Sequence, residues 1–151
     1  MAPSVHNPPA SADEWVIIAK RELSNLKGAY EAQQSNDAKV DHALMATEAI
    51  LKAIIWKQHK WPKWPAKMKG TKYLFNHSLD AMLDASCLRQ RLRLDEELWL
   101  SWNVLTNAVQ KQHRYSPTVP SDEEANEVAR ATRHPDFGVV PWLLERYQEI
   151  K

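Results

Sequence analysis

Gly28, Gly70 and Gly138 are the only glycines in the 151 residues. A chain so poor in glycine is badly supplied for the tight hairpin turns of a β-rich fold. It also lacks the closely spaced glycines of a phosphate-binding loop or a dinucleotide fingerprint. Helices remain, and the apolar spacing provides them. Ser11 followed by Glu14 is a capping-box pattern. Trp15, Ile18, Ala19, Glu22, Leu26, Ala29 and Tyr30 come after it at helical intervals, predicting a first helix over about 12–34. Asn36 or Asp37 is expected to cap a second helix running to about Lys60, with Val40, Ala43, Leu44, Thr47, Ile50, Leu51 and Ile54 as its apolar stripe.

Pro62 and Pro65 each follow a tryptophan and hold the chain extended, so 61–70 reads as a loop. A third helix is expected from about Thr71 through Cys87, whose thiol falls between apolar residues and reads as buried. The alternation in "LRQRLRLDEE" fits a short strand or a helix junction; with no second strand to pair with, a junction is the better reading. A fourth helix, about 94–113, carries Leu98, Trp102, Leu105 and Val109 on one face. Ser121 with Glu124 opens a fifth to about Arg133, "HPDFGVVP" reads as a loop, and Pro141 starts a short last helix. Residues 1–11, with three prolines, are expected to be a disordered tail, and 12–151 a single domain. Short connections imply antiparallel neighbours, so the expected fold is all-α, an up-and-down bundle of five to six helices. Seven tryptophans exceed what such a core needs, and some are expected at a subunit interface.

The net charge of +1 hides an asymmetry. From Ala49 to Leu79 there is no acidic residue and there are seven lysines, which leaves the rest of the chain net negative. The densest part, "WKQHKWPKWPAKMKGTK", suits a polyanion. Lys57, Lys60, Lys63, Lys67, Lys69 and Lys72 neutralise phosphates, while Trp61, Trp64 and Tyr115 offer faces for base stacking. Lysine in place of arginine favours loose phosphate contact over bidentate base reading. The competing reading folds the tryptophans onto the bundle and leaves the lysines solvated; a protein contact is the third. One cysteine excludes an intrachain disulfide and a cysteine-rich zinc site, and the scattered histidines suggest no metal, so no cofactor is expected. No apolar run approaches eighteen residues and the N-terminus is unlike a signal peptide, so a cytoplasmic location away from membranes is expected.

Several patterns occur in an order that resembles the HEPN family, the higher eukaryote and prokaryote nucleotide-binding helical domains. "ALMATEAILKAII" (43–55) resembles that family's second helix, "HSLDAML" (77–83) its histidine-started third helix, and "HRYSPTVPSDEEANEVARAT" (113–132) its Arg-Tyr-Pro turn and following helix. Here Ser116 stands between Tyr115 and Pro117, a departure from the family turn. The resemblance spans about residues 15–135. It implies an antiparallel bundle that usually forms a homodimer, acting as a ribonuclease, as the partner of a small nucleotidyltransferase in a toxin–antitoxin pair, or as a non-catalytic ligand-binding or scaffolding module.

Family ribonucleases carry an arginine separated from a histidine by four to six residues. No arginine of this chain has that spacing; Arg130 and His134 have three residues between them. The reading is therefore a non-catalytic module that contacts a protein partner and binds nucleotide or RNA through the basic loop, with Arg114 as a further phosphate ligand. The alternative is a divergent ribonuclease of a toxin or phage-defence system using His77, His113 and Arg114. Those three residues also have bland readings: His77 as a helix cap, His113 and Arg114 against a helix dipole, and Arg114 paired with Glu48. Glu48 and Lys52, four apart, read as a surface ion pair.

Overall fold

A computed structural model describes residues 9–111 and 119–151. Seven α-helices appear: α1 Ala12–Glu31, α2 Asn36–His59, α3 Leu79–Ala85, α4 Arg89–Arg93, α5 Glu96–Lys111, α6 Asp122–Arg133 and α7 Val139–Glu149. A 3-10 helix, Lys69–Leu74, precedes α3, and no strand occurs among the described residues. The all-helical class is thus established. Most of the expected tail, residues 1–8, lies outside the description, as do His113, Arg114, Tyr115 and the turn around Ser116 and Pro117.

Local chemistry sets most boundaries. The Ser11 hydroxyl accepts from the Glu14 N–H at 3.2 Å, and the Glu14 carboxylate returns to the Ala10 N–H. Ser121 does the same for Glu124 at 3.1 Å. The cap of α2 is Ser35, accepting from Ala38 at 3.2 Å, not Asn36 or Asp37. Asn36 instead ties α2 to α6, its amide donating to the Pro120 carbonyl and the Asp122 carboxylate at 2.9 Å each. Asp95 starts α5 by accepting from the Leu98 N–H at 3.1 Å. Gly138 lets the chain turn from α6 into α7, because a Cβ there would strike the His134 backbone.

Seven α-helices among the described residues exceed the expected five to six, and three further expectations need correction. The apolar stripe on α2 describes only its first half, where Met45 is 48% exposed. From Ala49 to Trp56 every residue is buried, because α1, α3, α5, α6 and α7 all pack on this helix. The third helix does not begin at Thr71: the chain makes the 3-10 turn, breaks, and restarts at Leu79. The break is a polar turn, with Asn76 accepting from the Ser78 N–H at 3.1 Å, His77 left-handed at φ 59°, and Ser78 capping α3 at 3.2 Å. Cys87 is exposed, not buried. It is left-handed at φ 62°, just past the end of α3, a position that turns its thiol away from the core that Leu83 and Leu88 enter. The junction after it is the short helix α4, with Leu92 fully buried.

The two ends of the chain's described core meet where the buried Tyr147 donates its hydroxyl proton to Asp13. Burial, and then that bond, hold the Tyr147 hydroxyl well above the tyrosine value of 10.0. A raised folded-state value means the contact contributes fully below pH 10.0 and is lost as pH climbs beyond it. Thermal melts from about pH 8 to 11 are expected to show wild-type stability falling at the alkaline end. Tyr147→Phe should start about 1–2 kcal/mol lower and fall less steeply; parallel curves for the two proteins would refute the linkage.

Candidate anion-binding surface

The basic loop begins where α2 ends, at Lys60 in the left-handed region with φ 54°. Trp56, only 4% exposed, reaches forward and donates its indole N–H to the Trp61 carbonyl at 2.7 Å. That bond bends the loop back over the bundle. Trp64 then drops into an aromatic cluster, with ring centres 5.2 Å from Trp56, 5.3 Å from Trp15, 6.2 Å from Trp61 and 6.5 Å from Phe75. Trp61 is half-buried and stacks on His59 at 4.5 Å, nearly parallel. Downstream, the Thr71 hydroxyl donates to the Ala66 carbonyl at 2.7 Å and accepts from the Met68 N–H at 3.0 Å, closing the loop.

The tryptophans therefore turn inward. Both Trp61 and Trp64 were candidates for base stacking, and the structure occupies their rings with protein neighbours. None of the seven tryptophans is exposed. The lysines divide. Lys60, Lys63, Lys67, Lys69 and Lys72 are exposed and form no ion pair with any described residue. Lys57 is set apart: its ammonium donates to the Tyr147 carbonyl at 3.3 Å and lies 4.3 Å over the Tyr147 ring, so it holds α2 to α7.

Beside the loop lies a second group. The Lys52 ammonium donates to Glu48 at 3.0 Å and sits 4.9 Å over the Trp15 ring. His77 Nδ1 approaches both Glu48 oxygens at 3.0 and 3.1 Å. Glu48 and Lys52 expose only 14% and 9% of their side chains, whereas His77 exposes 71%. The expected surface pair is thus a mostly buried one, because Trp15 of α1 and the His77 turn cover it. Whether Arg114 reaches Glu48 falls outside the described residues, as do the roles expected of His113 and Tyr115. Among the described residues no three His, Cys, Asp or Glu side chains are grouped as a metal requires.

The arrangement has two chemical capacities. Five solvated ammonium groups on a pinned loop make a diffuse cationic surface. His77, with 71% of its side chain exposed, is oriented by the Glu48 carboxylate through Nδ1. Sequence reasoning missed Trp15 as an anchor of the loop and Glu48 as the partner of His77, since both contacts join elements distant in sequence. It also passed over Tyr30, Arg130 and Arg133, which line a cleft described below. No family model, curated protein or solved structure matches this chain. No helix among the described residues is long and apolar enough to cross a membrane.

Proposed function

We propose that the protein is a non-catalytic helical module of HEPN-like plan, paired as a homodimer, that binds an anionic nucleotide or RNA segment through Lys60, Lys63, Lys67, Lys69 and Lys72. The observation that carries this reading is the combination of exposed lysines that form no ion pair with any described residue and a backbone held by Trp56, Trp64 and Thr71. A fixed loop holds the charges together before the ligand arrives, so little ordering cost falls on binding. With Trp64 committed to the core, recognition rests on phosphate charge and tolerates any sequence.

Fluorescence anisotropy of a labelled single-stranded RNA against salt concentration tests this. Affinity should fall with a log–log slope of about 0.7 per phosphate contacted. Lys63→Glu with Lys67→Glu should weaken binding by at least about tenfold and flatten the slope by about 1 or more. Binding that is absent at low salt, or unchanged in the double variant, removes the loop from the function. The Glu48–His77 contact favours a second reading, a ribonuclease with His77 as proton acceptor. RNA shortening that His77→Ala abolishes would select it.

A further inference from the structure

Away from the basic loop, the end of α1 and the outer face of α6 enclose an open cleft of about 670 Å³ lined by Tyr30, Glu123, Asn126, Glu127, Arg130 and Arg133, among others. Its charges are sorted along α6. Glu123 and Glu127 occupy the first two turns, Arg130 and Arg133 the last. No ion pair joins any of these four to another described residue, whereas Arg89, Arg91 and Arg146 are each paired with carboxylates. The two guanidinium groups are held by aromatic rings instead: Arg130 lies 4.9 Å over Phe137 and Arg133 5.8 Å over Tyr30. Stacking on a ring fixes a guanidinium while leaving its N–H edge free for a bidentate acceptor. The cationic end is thus positioned without an ion pair to any described residue, and the anionic end precedes it along the same lining face of α6.

We propose that this cleft binds a short zwitterionic peptide of about three residues, its C-terminal carboxylate on Arg130 and Arg133 and its amino group at Glu123 and Glu127. The spacing supports the length. Arg130 follows Glu123 by seven helical steps, a rise of about 10.5 Å. An extended tripeptide spans about 10 Å. The mixed charge of the lining, two carboxylates and two guanidinium groups with the Lys39 ammonium adjoining, sets this site apart from the all-cationic lysine loop. Tyr30, 43% exposed and flanked by Arg133 and Lys39, forms one wall, and Asn126, whose side-chain oxygen accepts from the Lys39 ammonium at 3.5 Å, has its NH2 group left to donate to the peptide backbone.

Two-dimensional amide NMR of the full chain, titrated with tri-alanine to about ten millimolar, tests the proposal. Signals of Tyr30 and of α6 from Glu123 to Arg133 should shift together. C-terminally amidated and N-acetylated tri-alanine should each bind about tenfold more weakly, the loss expected for one charge-assisted contact. Arg130→Gln with Arg133→Gln should abolish the shifts while leaving the helical circular dichroism unchanged, because Arg130 is exposed and Arg133 half-exposed. Absence of shifts with free tri-alanine overturns the proposal. So does equal binding of the blocked peptides, or undiminished binding by the folded double variant.

Discussion

Glu48→Ala is expected to lower the unfolding free energy by about 3 kcal/mol, the low end for breaking a buried ion pair. The low end applies because Glu48 keeps 14% of its side chain exposed. The variant strands the Lys52 ammonium against Trp15 and on a helix turn with buried neighbours, and releases His77. A net stability of about 5–15 kcal/mol makes that a large fraction of the total. Replacing both partners by apolar residues of similar size, Glu48→Leu with Lys52→Met, should recover most of the loss, since no charge is then left without its counterpart. Urea unfolding of the single and double variants decides the matter. A loss below about 1 kcal/mol for Glu48→Ala would return the pair to the class of screened surface contacts.

Trp64→Ala should cost about 3 kcal/mol. The ring meets four aromatic neighbours, and each such pair adds about 0.5–1.5 kcal/mol beyond the area it buries. Trp64 is half-buried, which holds the value near the bottom of the range for tryptophan truncation. The loss should be visible locally as well as globally. With its anchor gone, the loop exposes the Lys63 and Lys67 peptide bonds, and limited trypsin digestion should cut there before the rest of the chain. Wild-type resistance to trypsin in the variant would show that Thr71 and the Trp56–Trp61 bond suffice to hold the loop.

The parts of the fold that were legible in the sequence are those governed by neighbours in the chain. Ser11 and Ser121 announced α1 and α6 because a cap acts across three residues, and Pro62 and Pro65 announced the loop because proline acts on the residue before it. The misreadings came from elsewhere. Asn76 and Ser78 share a turn that an apolar count ignores, so the spacing predicts one long helix where the chain breaks. Cys87 has apolar neighbours, but a left-handed backbone points it the other way. The uniform burial of Ala49–Trp56 depends on five other helices, none of which its own pattern can declare. At the candidate site, the lysines' charge was legible, and so was its confinement to one stretch. The direction of the tryptophan rings was not, because Trp15, which receives Trp64, belongs to another helix. Lys57 looked like its neighbours until Tyr147 was placed beneath it.

The enclosure of α2 also bears on how the protein is made. During synthesis α1 and α2 emerge ahead of the other five helices, and α1 can cover only one side of a helix whose last eight residues before Lys57 are buried on every side in the finished fold. Val139, Val140 and Leu143, part of the core that closes around it, leave the ribosome about eighty residues after α2 has ended. Until then a greasy, half-wrapped rod waits in the growing chain, and that interval is when the nascent polypeptide most needs shielding from its own kind.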